Sequence, residues 1–139
     1  MVGDGRHPRG FEIRPHGSGF VVTFSCEHLD ADTAVRAIEG LRDAGVGPTT
    51  PYVVYDMLQP TSFDRDITDL HRVVVRGQIH LAFDKDARVA AAVGPAGFGV
   101  MTAFLEVRAS LAMRTESSQP PYQLFGTLDE AIEWASGGD

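Results

Sequence analysis

Three short stretches hold the residue types that could carry chemistry. Cys26 and His28 stand two apart with Glu27 between them, the ingredients of a thiolate nucleophile and the imidazole that would activate it. On a continuing strand both fall on one face, but such neighbours point in parallel rather than at each other. No oxyanion donor is evident, so a packed cysteine is the expected reading. The run DRDITDLH offers Asp64, Asp66, Asp69 and His71. Asp64 and His71 share a side only if a helix begins by Asp64, and Asp66 and Asp69 point elsewhere. The glycine and bidentate glutamate of a calcium loop are missing, so a solvated acidic helix start is expected and no metal is assigned. The run GPAGFG, with Gly94, Gly97 and Gly99, has neither the Gly-x-x-x-x-Gly-Lys order of a phosphate-binding loop nor the Gly-x-Gly-x-x-Gly order of a dinucleotide turn. Its helix start could meet an anion through free backbone amides. A turn that uses glycine for close packing is the expected reading. No catalytic residue and no cofactor follow from these stretches.

The elements that position them are read from periodicity and punctuation. Residues 1–10 are rich in Gly, Pro and Arg and are expected to form a mobile tail. The stretch FEIRPHGSGFVVTFS gives two β-prone runs around His16-Gly17-Ser18-Gly19, a hairpin signal. Phe20, Val22 and Phe24 alternate with Val21, Thr23 and Ser25, which predicts one face on the core. Asp30 predicts a cap for a helix over 31–44, with Ala34, Ile38 and Leu41 inward and Gly45 as its stop. YVVYDM (52–57) and RVAAAV (88–93) are short, apolar and read as buried strands.

A second helix is predicted from Asp64 or Asp66 to about Ala82, with Ile67, Leu70, Val74 and Leu81 on its inner stripe. A third is predicted from about Phe98 to Ala112, with Phe98, Met101 and Leu105 on one stripe and Val100, Phe104, Val107 and Leu111 on another. YQLF is a last strand, and Thr127 with Glu130 forms a capping box for a helix that buries Leu128, Ala131, Ile132 and Ala135. The order β-β-α-β-α-β-α-β-α implies an α/β protein with a mainly parallel sheet, to which the opening hairpin adds an antiparallel element.

The second and third helices carry more apolar surface than one buried face needs: Val73, Val75, Ile79, Val100, Phe104 and Val107. Loops and the last helix could cover it. Equally, it could form a dimer face or line a pocket for an apolar ligand.

Whole-chain properties narrow the partners. The 139 residues, 43% hydrophobic and 22% charged, suit one core over residues 11–136. The net charge of −7 opposes binding to nucleic acid or anionic membranes, since both need clustered Lys and Arg. No run of about 20 apolar residues and no apolar signal-peptide segment is read, so a cytoplasmic protein without integral membrane association is expected. The single cysteine excludes an internal disulfide, in keeping with a reducing compartment.

Three stretches then carry a resemblance. YVVYDM with the loop TSFDRDI, the run VAAAVGPAGFGVMTAF, and the ending QLFGTLDEAIEWAS resemble the STAS superfamily, in particular its SpoIIAA-like branch, which is similar in turn to the lipid-binding CRAL-TRIO proteins. The resemblance covers about residues 11–136 and implies a STAS-like fold of bacterial type. In anti-sigma-factor antagonist members, the loop after the acid-ended strand carries Asp-Ser-Ser or Asp-Ser-Thr, phosphorylated by a partner kinase. Here Asp64 matches the aspartate, while Arg65 and Asp66 stand at the hydroxyl positions, so the usual phosphorylatable Ser is lacking. Asp66 either mimics the phosphorylated state or simply caps the helix.

The resemblance implies a non-enzymatic regulatory or protein-interaction module. Its expected switch loop contains Ser62, Asp64, Arg65 and Asp66, its partner is a protein, and it is expected to form a homodimer through the third helix. The alternative is a binder or carrier of an apolar small molecule or lipid, in a pocket between sheet and helices lined by Val74, Phe98, Met101 and Phe104. An enzyme using Cys26, His28 or the acids around Asp64 has the least support, since no two catalytic types converge by spacing.

Overall fold

The computed structural model describes residues 10–80, 86–115 and 119–137. The chain opens with strands β1 (Phe11–His16) and β2 (Gly19–Phe24), paired antiparallel across the Gly17-Ser18 turn, where Gly17 takes a φ of 55°. Gly19 follows for a steric reason: a Cβ there would lie 2.5 Å from the Tyr52 carbonyl oxygen. The two-residue β3 (His28–Leu29) leads into α1 (Ala31–Ala44), then β4 (Tyr52–Met57), the two-residue β5 (Ser62–Phe63), α2 (Ile67–His80), β6 (Arg88–Val93), α3 (Pro95–Thr115), β7 (Tyr122–Phe125) and α4 (Leu128–Ala135). The tail expected over 1–10 lies outside the described residues except for Gly10, whose carbonyl accepts from Ser25.

Five strands form one sheet in the order β1-β2-β4-β6-β7, parallel throughout after the hairpin. The α/β class, the mainly parallel sheet, the opening hairpin and the four helices are those expected from the sequence. Local signals set several boundaries. The Asp30 side chain accepts from the Thr33 N–H at 2.7 Å, and Gly45, at φ 111°, closes α1. Thr127 accepts from the Glu130 N–H and donates to the Glu130 carboxylate at the start of α4.

Both faces of the sheet are covered. Val22, Phe24, Val53, Met57, Ala91 and Val93 pack on the side of α1, α2 and α3. Val21, Tyr52, Val54, Ala90 and Ala92 pack under α4, where alanines on strand and helix allow close approach. The single core face predicted for β2 is therefore corrected: Val21 is as buried as Val22 because α4 closes the far side.

Three further readings change. β3 and β5 pair in parallel as a separate ribbon, an element the sequence did not announce. The second helix starts at Ile67, after Asp64 and Asp66, and Ile67 is exposed rather than inward. The third starts at Pro95 rather than near Phe98. Proline fits a first helical turn because its missing N–H has no partner there, and the Gly97 and Phe98 N–H groups reach back to Gly94. Leu81 and the Ile79 side chain lie outside the described residues. The 21 residues of α3 also have the length and apolarity of a membrane-crossing helix, with a mean hydropathy of 1.2 over 18 residues, contrary to the sequence reading. Of its residues only Gly97, Val100 and Met101 are buried.

Candidate functional site

Between the sheet and the three helices lies a cavity of about 670 Å³, well within the range of small-molecule sites. Phe24, Met57 and Val89 form its sheet side, Leu70 and Val74 project from α2, and Met101 and Phe104 from α3. Val74 and Met101 are almost fully enclosed, at 4% and 5% exposure. The surplus apolar positions Val73, Val100 and Phe104 also face this space, which is why their helices carry more apolar surface than one packed face requires. Phe98 does not. With the helix begun at Pro95, Phe98 falls on its outer side at 59% exposure, so it is corrected from a lining residue to a surface one.

The cavity has chemically different ends. Near the start of β6 and β7, Arg108 reaches over the Tyr122 ring, 5.2 Å from its centroid, and donates to the Pro120 carbonyl at 2.6 Å. Tyr55 stacks on Tyr122 at 6.3 Å, and Phe104 meets the same ring edge-on at 5.8 Å. Burial pushes the Tyr55 and Tyr122 phenols far above the ordinary range, so both stay neutral. Burial also lowers the Arg108 pKa, but a guanidinium starts so high that it keeps its charge. At the other end, Asp30, Asp64 and Asp69 stand where β3, β5 and the first turn of α2 meet.

That acidic end is continuous with the β5–α2 loop. His28 touches the Ser62 Oγ at 2.8 Å through Nδ1 and the Asp64 Oδ1 at 2.9 Å through Nε2. The second Asp64 oxygen accepts from the Ala31 N–H at 3.0 Å. This N–H, and His28 after it, hold the Asp64 carboxyl below the usual carboxylate range. In the tautomer that carries its proton on Nε2, the ring donates to Asp64 and accepts from the Ser62 hydroxyl at Nδ1. Phe63 turns inward from the same ribbon, buried against Gly97 of α3.

No family model matches the chain, and no curated protein matches it. Among solved structures it is similar to the crystal structure of an anti-sigma factor antagonist from Mycobacterium paratuberculosis, with 20% identity and a TM-score of 0.54, covering 94% of this chain and 98% of that one. The likeness shows a shared fold, the one that the resemblance to the STAS superfamily implies.

Within this fold, the loop residues separate by their contacts. Ser62 and Asp64 are tied to His28. Arg65 is exposed, and Asp66 caps α2 by accepting from the Thr68 N–H at 2.9 Å. Cys26 does not pair with His28: β2 ends at Phe24, Cys26 packs partly buried against the core, and both His28 nitrogens are engaged elsewhere. The imidazole joins serine and carboxylate in the connectivity of a hydrolytic triad, but with the ring reversed relative to that arrangement. The Ser62–His28–Asp64 link spans 34 and 36 residues, a distance over which sequence spacing carries no signal. No cluster of three or more His, Cys, Asp or Glu suited to a metal occurs among the described residues. Arg108 was legible in principle, because it stands four residues after Phe104 on the stripe that faces the cavity.

Proposed function

We propose that this chain is a non-enzymatic regulatory module that acts by binding another protein through the β5–α2 loop, without a phosphorylated hydroxyl beside Asp64. The observation that carries this reading is the build of the loop in a STAS fold. Arg65 and Asp66 are exposed at the two positions after Asp64, while Ser62 and Asp64 are held through His28 to the start of α1. A recognition loop fixed in advance loses less conformational entropy on binding. The similarity to an anti-sigma factor antagonist supports a protein partner of the anti-sigma factor kind. Affinity capture from the source cells, comparing wild type with an Arg65→Glu, Asp66→Lys double variant, tests it. One partner should be captured by the wild type and lost with the variant, and an identical captured set would overturn the reading.

The cavity favours a second reading, that the module also holds an apolar small molecule between sheet and helices. Phe63 serves both sites, since it belongs to the loop ribbon and walls the cavity. Native mass spectrometry of freshly purified protein should show mass on each chain that disappears on denaturation.

A further inference from the structure

We propose that the cavity takes a single-chain amphiphile with one carboxylate, its head on Arg108 and its tail running toward Phe63. The inference rests on the second reading above and names the ligand class. Arg108 is the only cationic side chain among the described residues that line the cavity. A guanidinium carries five donors, and the protein partner found for it is the Pro120 carbonyl. No carboxylate of a described residue forms an ion pair with it; Arg36, Arg65, Arg88 and Arg114 share that feature, but of these five only Arg108 lines the cavity. A partly buried guanidinium gains from a counter-ion that meets it.

The surrounding polar groups are donors too. The Gln119 Nε2, next in sequence to Pro120, is buried without a hydrogen-bond partner. The phenols of Tyr55 and Tyr122 are neutral and can donate, and no described residue takes a hydrogen bond from either. Cation, amide and phenols together make an end in which N–H and O–H donors outnumber acceptors. A carboxylate supplies one in the planar form that a guanidinium binds through two parallel bonds. One cation balances one negative charge, which disfavours a phosphate monoester.

The remaining wall sets the orientation. Leu70, Val74, Val100, Met101 and Phe63 offer apolar contact and no donors to a head group. Asp30, Asp64 and Asp69 at the far end would repel a second anion. From the level of Val89 to that of Val93 the sheet runs about 13 Å, at ~3.3 Å per residue, so an extended alkyl chain fits along it.

The test is calorimetric titration of the full chain at pH 8 with dodecanoate, dodecanol and dodecyltrimethylammonium, all below their micelle concentrations. Dodecanoate should bind about tenfold or more tightly than dodecanol, and the cation should bind least. Arg108→Met should bring dodecanoate to the level of dodecanol while leaving dodecanol unchanged. Because Arg108 also packs on Tyr122, a Tyr55→Phe variant provides a milder second test and should weaken dodecanoate severalfold without affecting dodecanol. Equal affinity of the wild type for dodecanoate and dodecanol would overturn the carboxylate assignment while leaving the apolar pocket standing. Binding of none of the three would overturn both.

Discussion

Asp64 serves two structures at once. One oxygen receives the first N–H of α1 and the other holds His28, so a single carboxylate ties the β3–β5 ribbon to a helix start whose dipole favours negative charge. Both contacts favour the ionised form, which is why its pKa is lowered. The sign of the pH dependence follows. The stabilisation is complete above the ordinary carboxylate range near ~4 and is lost as pH falls through the lower folded-state value. Asp64→Asn should therefore flatten the acid limb of the stability curve below about pH 4. The side chain is 34% exposed, so solvent screening should keep the loss at pH 7 below about 1 kcal/mol. Thermal melts of both proteins from pH 2.5 to pH 7 check this, and superimposable acid limbs would show that Asp64 has no such role.

The glycines before and within α3 show how an element acts through close approach rather than through a phosphate. A Cβ on Gly97 would lie 3.1 Å from the Phe63 ring, while Gly94 and Gly99 have nothing within 4 Å. Gly97 thus lets the β5 ribbon lie against α3. Gly97→Ala should cost about 1–2 kcal/mol by overpacking. Gly99→Ala, inside the same helix with open space around it, should be neutral or stabilise by up to ~1 kcal/mol. Urea denaturation of the two variants separates these outcomes, and equal effects would remove the special status of Gly97. The same elements explain what could be read from the sequence. Asp30, Gly45 and the Thr127–Glu130 pair are local signals, satisfied within four residues, and they marked α1 and α4. The β3–β5 ribbon is two residues on each side, too short for periodicity. Phe98 was misassigned because α3 is apolar on two sides, so its pattern does not say which side meets the sheet. The cavity is a gap between elements, and no local pattern encodes its volume.

At the scale of the whole molecule, α3 has two apolar sides. The inner one reaches the cavity and the sheet through Val100, Met101 and Phe104. The outer one carries Phe98 at 59% exposure and Met113 at 81%, with Leu105 and Ala109 between them. At 100° per residue Leu105 and Ala109 fall within about 20° of Phe98, and Met113 within about 60°, over a length of roughly 22 Å. Scattered apolar residues need no explanation, but a stripe along one helix does. A second copy packed antiparallel along this stripe would cover Phe98 of one chain with the Met113 end of the other, as a two-fold interface allows. Phe98→Asp should convert such a dimer to a monomer, and the melting temperature measured at low protein concentration should hardly change, because the side chain is already exposed. Light scattering coupled to size exclusion reads the mass directly. A wild-type chain that stays monomeric at high concentration would rule out self-association, and a variant that remains dimeric would move it off the outer stripe of α3.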